Sequence, residues 1–381
     1  MLETRGMRLV YFSRDYTAHD LRFVRAIAQR GWDVAYLRLE NDGIPYVREP
    51  LPSGCRWLEW AGGRGRLGGV ADLMALEQEC AEAIERVEPD LVHAGPIQSC
   101  GLLAALAGKA PTLLMSWGSD VLVDADRDEW HRWATRTALE KADFFLCDSQ
   151  AVLEKARGYA SLPEGRTLVM PWGLDLADYA VHPADRSKLR EQLGWARCVV
   201  AVSTRAWHRE YAIETALEAF ALAAARQPQL RLGLLGSGPQ EERIRARIRE
   251  LHLEAHVCCP GMLAAPELRR WLAAADIYLA TPPSDGTSVS LLEAMLYRLP
   301  VVVTDNPGNR EWVTDGINGY LVPASDAPTL ADALGRLGQD AGLRERLGTQ
   351  GHARVVERAD WRRNLPRLFA AYDLVAGGTS S

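Results

Sequence analysis

The chain lacks the features that would have assigned it at a glance. No apolar run reaches the roughly 20 residues of a membrane span. The seven cysteines are scattered, and only Cys258-Cys259 are neighbours. An odd, unpaired set excludes a disulfide framework and the close Cys/His pairs of structural zinc, so reduced thiols and a cytoplasmic location are expected. No apolar segment precedes the first strand, so no secretory leader is expected. A basic excess is also missing: 44 Lys+Arg face 50 Asp+Glu, for a net charge of −6. The deficit lies in the first half, where residues 1–185 carry 20 basic against 28 acidic groups. Residues 186–381 carry 24 against 22. A nucleic-acid binder would show a basic field. Docking on anionic lipid is not indicated by this charge either. Lysine is nearly absent, with only Lys109, Lys141, Lys155 and Lys188, a bias of composition. There is no short repeat and no low-complexity tract beyond the tail Gly377 to Ser381, which is expected to fray.

What is present is the composition of a soluble globular protein, 48% hydrophobic and 25% charged. A chain of 381 residues accommodates two domains. Short apolar strands alternate with helical stretches: Arg8 to Phe12, Asp33 to Leu37, Leu91 to His93, Thr112 to Met115 and Phe144 to Cys147. The first helix is expected over Leu21 to Gln29, stopped by Gly31. A second series runs Cys198 to Val202, Arg231 to Leu235, His256 to Cys259, Ile277 to Ala280 and Val301 to Val303. Two such series predict two doubly wound parallel sheets. The polar stretch from Asp175 to Arg186 reads as their join, and Trp361 to Val375 as a last amphipathic helix.

The most informative stretch is Pro282-Pro283-Ser284-Asp285-Gly286-Thr287-Ser288-Val289-Ser290-Leu291-Leu292-Glu293-Ala294-Met295. The apolar strand Ile277 to Ala280 stops at two prolines, which cannot donate to a sheet ladder. A small-residue loop follows, and a helix opens near Ser288. Strand, loop and helix start in that order make an anion site, because free backbone N–H groups and the positive end of the helix dipole face the loop. Asp285 lies in the loop and Glu293 about two turns lower on the helix. A ligand with phosphate in the middle and hydroxyl-rich sugars at both ends, such as a nucleotide sugar, fits that layout.

This segment resembles the signature of retaining GT-B glycosyltransferases of family four, the group 1 glycosyltransferases. The likeness continues through Leu299-Pro300-Val301-Val302-Val303, then Asn306-Pro307-Gly308-Asn309-Arg310-Glu311 and Asp315-Gly316-Ile317-Asn318-Gly319-Tyr320-Leu321-Val322. It covers most of the C-terminal half; the N-terminal half matches more loosely. The resemblance implies a GT-B fold of two Rossmann-like domains: residues 1–180 on the acceptor side, with the helix 361–381 packed back on them, and residues 181–360 binding the nucleotide sugar. It implies that Asp285 binds donor-sugar hydroxyls and Glu293 the nucleotide ribose, each carboxylate accepting two hydroxyl protons. The family has Glu at the first of these positions. Backbone groups at Gly286, Thr287, Ser288 and Val289 would meet the sugar and the distal phosphate. Gly236 and Gly238 would form the turn beside the nucleotide, and the strand from Val257 would offer backbone groups to the base.

Arg205 matches a family arginine that neutralises the leaving diphosphate. The family's lysine, five residues on, falls at Glu210. Either Arg209 takes that role or the loop is rebuilt around Trp207 and His208. On the acceptor side, Trp117 stands where relatives carry His, and Asp120 is retained. Asp15, Tyr16, Thr17 and His19 occupy a first loop that in many relatives holds two glycines. No catalytic base is assigned. No metal cofactor is expected, since a helix N-terminus and Arg205 would stand in for a divalent cation. The implied activity is retaining transfer of a sugar from a UDP- or GDP-type donor to an acceptor hydroxyl. Two alternatives stay open: a nucleotide-sugar epimerase or sugar-phosphate synthase on the same fold, and a nucleotide-sugar-binding protein without turnover.

Overall fold

The computed structural model describes residues 6–39, 49–64, 67–179 and 183–377. The expectations for the N-terminal leader and for the tail beyond Gly377 fall mainly on residues 1–5 and 378–381, outside the described residues. The chain forms two compact units, Met1–Trp172 with Arg363–Ser381, and Gly173–Arg362. The stretch read as the join therefore lies in the second unit. It includes a short turn of helix at Leu176–Tyr179 and the start of a helix at Pro183–Gln192. No helix among the described residues is long and apolar enough to cross a membrane.

The first unit is built on seven parallel strands: β1 Arg8–Ser13, β2 Asp33–Arg38, β3 Cys55–Leu58, β4 Leu91–Ala94, β5 Thr112–Met115, β6 Phe144–Cys147 and β7 Thr167–Val169. Their order is β3-β2-β1-β4-β5-β6-β7. Central strands covered on both faces need unbroken apolar runs, and Leu9, Val10, Tyr11 and Phe12 are all fully buried. The first helix begins three residues earlier than expected, at Ala18. Thr17 caps it, and Asp20 returns the favour to the Thr17 N–H at 2.8 Å, a capping box the apolar periodicity did not reveal. The last helix, Trp361–Gly377, sets Phe369 and Tyr372 against Trp32, with ring centroids 5.8 Å apart in both cases. Tyr372 also reaches His93, hydroxyl to Nδ1 at 2.6 Å.

The second unit carries β8 Val199–Ser203, β9 Leu230–Leu235, β10 Val257–Gly261, β11 Ile277–Ala280, β12 Val301–Thr304 and β13 Gly319–Val322. All are parallel, in the order β10-β9-β8-β11-β12-β13. One core layer packs Phe220, Leu217 and Leu330 on one face of the sheet. Another packs Trp271, Leu292, Met295 and Trp312 on the other.

Three strands went unread in the sequence: β3, β7 and β13. All are sheet edges. An edge strand is covered incompletely, so it needs no continuous apolar run. Arg56 and Trp57 of β3 are exposed, and every residue of β7 is only partly buried.

Candidate active site

Open parallel sheets bind ligands beyond the carboxyl ends of their strands, where the strand order reverses. In the second unit that point lies between β8 and β11. The loops after β8, β9 and β11 converge there. Asp285, Gly286, Thr287 and Ser288 follow β11, and Ser288 caps the helix Val289–Leu296 by accepting from the Leu291 N–H. Thr287 and Ser288 are buried, at 5% and 6% exposure. The Trp312 indole N–H reaches the Thr287 hydroxyl at 3.4 Å.

Arg205 follows β8 and crosses to this loop. Its Nη1 donates to Ser288 Oγ at 2.6 Å and to Ser290 Oγ at 3.1 Å, and its Nη2 lies 2.9 Å from Asp285 Oδ2. Tyr278 donates to Ser290 Oγ at 2.9 Å, and the Tyr211 ring lies 4.2 Å beneath the guanidinium. A mostly buried cation is thus fixed on four sides at the start of a helix. Burial works most strongly against the Arg205 charge, but Asp285 together with the Tyr278 and Tyr211 hydroxyls holds the guanidinium above its ordinary value. Burial pushes the Asp285 carboxyl up, and Arg205 pulls it back. With the cation 2.9 Å away, we take the ion pair as the state at neutral pH.

A second clamp holds this loop from beneath. Asn306 donates to the Pro282 carbonyl at 3.1 Å and caps the turn Pro307–Arg310. A Cβ on Gly308 would run into the carbonyl oxygens of Asp285 and Gly286, so only glycine lets the two segments approach this closely. The sequence likeness included Asn306 and Gly308 but gave them no task. Ser290, Tyr278 and Tyr211 were not singled out; the spacing Ser288-x-Ser290 at a helix start was the one available signal.

Gly236 follows β9 with φ +130°, outside the range of ordinary side chains, and its N–H donates to the Gly261 carbonyl at 2.9 Å. Gly238 lies against the backbone of Trp207, where a Cβ would come within 2.6 Å of the Trp207 carbonyl oxygen. Trp207 itself is fully buried in the core, so the loop after β8 is organised around it. Arg209 and Glu210 are both exposed in the short turn Arg209–Tyr211, and Glu210 faces His208 at 3.6 Å. Neither joins the Arg205 cluster. Val257 starts β10, at the edge of the sheet and partly buried. Glu293 lies lower on the helix Val289–Leu296, and its Oε1 accepts from the Tyr179 hydroxyl at 2.7 Å.

The first unit has its own reversal, between β1 and β4. A cavity of about 600 Å³ opens there, lined by Asp15, Thr17, His19, Ser99, Trp117 and Asp120 among others. Tyr16 does not line it. Its ring is buried against Tyr36 and Trp57, at 5.4 and 5.6 Å. Asp15 pairs with Arg38 at 3.3 Å. Asp120 is fixed by structure: its carboxylate accepts from the Ile97 and Val121 N–H groups at 3.0 Å and from the Ser116 hydroxyl at 2.6 Å. Ser99 comes from a π-helical turn, Ile97–Gly101, a backbone irregularity that re-aims side chains. His19 stands beside Trp117, ring centroids 5.6 Å apart. The His19 Nδ1 and the Ser99 Oγ are buried with no hydrogen-bond partner among the described residues. Burial, aided by Arg22, lowers the His19 pKa to about 4, so its ring is neutral at ordinary pH.

The sequence also carries acidic groups at alternate positions, Asp124, Asp126 and Asp128. In the fold each has other partners. Asp124 pairs with Arg127 at 3.3 Å, Asp126 with Lys155 and the Tyr159 hydroxyl, and Asp128 caps the helix Glu129–Lys141 and holds His131 at 2.6 Å. Among the described residues no three His, Cys, Asp or Glu side chains converge as a metal ion would need.

Comparison with known proteins follows the same division. Residues 8–149 match the family described as glycosyl transferase 4-like, and residues 185–354 match glycosyl transferases group 1. The chain is 25% identical to the putative glycosyltransferase EpsD of Bacillus subtilis over 94% of both chains. It is 26% identical to the alpha-D-kanosaminyltransferase of Streptomyces kanamyceticus over 57% of this chain and 56% of the other. Among solved structures it resembles a sucrose-phosphate synthase from Thermosynechococcus elongatus, with TM-score 0.81, 21% identity and coverage of 98% and 100%. It also resembles Anabaena HepE in complex with UDP-glucose, with TM-score 0.77, 21% identity and coverage of 96% and 99%. These likenesses establish the GT-B fold, and with the two family matches they show that the chain belongs to the group 1 glycosyltransferases.

Proposed function

We propose that this enzyme transfers a sugar, with retention, from a nucleoside diphosphate sugar to an acceptor hydroxyl. The observation that carries the reading is the placement of Arg205. A buried guanidinium bonded to Ser288 and Ser290, at the positive end of the helix Val289–Leu296, is a preformed site for a diphosphate. Asp285 lies beside it, where the sugar follows the phosphate, and Glu293 lies further along the helix, where the ribose would be. The complex of HepE with UDP-glucose supports a uridine donor as the first to test.

In this mechanism the departing phosphate oxygen takes the proton of the attacking hydroxyl on the same face. Arg205 and the backbone amides at Thr287 and Ser288 stabilise the charge that grows on the leaving group. No protein base is required, and the cationic duty assigned to Arg205 makes a metal cofactor unnecessary. The acceptor belongs to the cavity of the first unit. Trp117 offers an apolar plane to a sugar face, and His19 and Ser99 offer two unmet hydrogen-bonding groups to hydroxyls. Seven free cysteines fit a reducing, cytoplasmic setting.

The test is a thermal-shift panel of UDP, GDP and their sugars, followed by transfer assays with the donor that stabilises most. A ligand at 100 times its Kd adds about 2.7 kcal/mol. Stabilisation by a nucleotide sugar with transfer to a hydroxyl acceptor and retained anomeric configuration is expected. Inverted product would overturn the mechanism, and no response to any nucleotide would overturn the donor reading.

A further inference from the structure

Glu293 does not stand alone on its helix. The hydroxyl of Tyr179 donates to its Oε1 at 2.7 Å. Tyr179 ends the short helical turn Leu176–Tyr179, far from Glu293 in the sequence. Its ring is held from two directions. The Arg269 guanidinium lies 5.0 Å from the ring centroid, and the Tyr297 ring meets it edge-on, 6.4 Å away at 75°. Glu293, Arg269 and Tyr297 all belong to the same unit as Tyr179.

Glutamate loses more rotamer freedom than most side chains when it is fixed. A carboxylate that must accept ribose hydroxyls gains affinity if it is already aimed before the ligand arrives. Tyr179 supplies that aim with one hydrogen bond to one oxygen. The Arg269 cation over its ring draws electron density from the phenol, and an O–H so polarised is a better donor to a carboxylate.

We propose that Tyr179 is a positioning residue for the nucleotide ribose, acting through Glu293 and kept in place by Arg269 and Tyr297. This rests on the reading of Glu293 as the ribose ligand. It adds to the donor site a residue that lies outside the loop-and-helix segment.

Calorimetry on the full chain tests it, with UDP and GDP compared first and the tighter one carried forward beside its 2′,3′-dideoxy analogue. Tyr179→Phe keeps the ring and removes only the hydroxyl. It should weaken the diphosphate about tenfold, the loss of one charge-assisted hydrogen bond, and leave the dideoxy analogue within about twofold. In turnover the KM for donor should rise while kcat holds. Glu293→Gln should show the same selectivity for the ribose hydroxyls, and thermal unfolding of both variants reports whether the fold persists. If Tyr179→Phe changes nothing, or weakens both nucleotides alike, Tyr179 has no positioning role. If Glu293→Gln discriminates between the two nucleotides and Tyr179→Phe does not, only this inference fails. If Glu293→Gln does not discriminate, or neither UDP nor GDP binds, the ribose assignment fails and this inference falls with it.

Discussion

Arg205 and Asp285 meet at 2.9 Å across the point where the strand order of the second sheet reverses, one from the loop after β8 and the other from the loop after β11. Both side chains are largely removed from water, with 11% and 20% exposure. In the proposed reaction one neutralises the leaving diphosphate and the other reads the sugar. Their pairing means that the donor must share, and not simply find, its cation.

Arg205→Ala is expected to lower kcat by about 100-fold or more, the usual cost of a lost transition-state charge partner. It should also destabilise the fold, by about 3 kcal/mol, because Asp285 is left without its counter-ion. Arg209→Ala should cost less than tenfold, since Arg209 is exposed and outside the cluster. Glu210→Lys should be tolerated. Steady-state transfer for the three variants decides, and a loss for Arg209→Ala equal to that for Arg205→Ala would place Arg209 on the diphosphate.

Gly308→Ala should damage the donor site without touching any proposed ligand group. The added carbon would collide with the carbonyls of Asp285 and Gly286, and the loop must move. Overpacking of this kind costs about 1–3 kcal/mol. The expected result is a lower melting temperature together with weaker nucleotide binding. Normal binding at a lower melting temperature would separate this glycine from the site.

Transfer should survive chelation. Arg205 and the start of the helix Val289–Leu296 carry the positive charge a divalent ion would otherwise supply. Activity before and after EDTA, with Mg²⁺ or Mn²⁺ added back, measures this. Abolition by chelator with recovery on metal would reverse the assignment.

Acid should loosen the first unit before any carboxylate need be invoked. Burial lowers the pKa of His19 to about 4 and that of His93 to about 3. Both are neutral in the fold and gain protons near pH 6.5 in the unfolded chain. The unfolded state then binds more protons, so stability present above about pH 6.5 is lost as the pH falls towards 4, and the His93 contribution continues to fall towards 3. Each group contributes about 1.4 kcal/mol per pH unit within its window. His19→Asn should flatten the dependence of melting temperature on pH between 6 and 4. An unchanged slope would mean that His19 is protonated in the native protein.

Much of the second unit was legible in the sequence, because its signals are local. A strand closed by Pro282-Pro283, a loop of small residues and a helix capped by Ser288 follow from local backbone geometry alone. The central strands announced themselves through unbroken apolar runs, as in Ile277 to Ala280, which burial on both faces requires. The edge strands β3 and β7 gave no such signal, because water covers what the sheet does not.

The sequence by itself determined the two-series α/β plan and the strand, loop and helix segment that carries Asp285 and Glu293, with Arg205 just after the first strand of the second series. Only the tertiary structure decided who holds them. Ser290 accepts from both Arg205 and Tyr278, Gly308 presses on the Asp285 loop, and the Tyr179 hydroxyl donates to Glu293. It also decided that Trp207 is core, that Tyr16 is buried away from the cavity, and that Asp120 is tied to Ser116 and Ile97. Hydrogen bonds and ring contacts act over a few ångströms, whereas their partners lie anywhere along the chain. Periodicity and capping report on neighbours in sequence, so they cannot name a partner brought in by the fold.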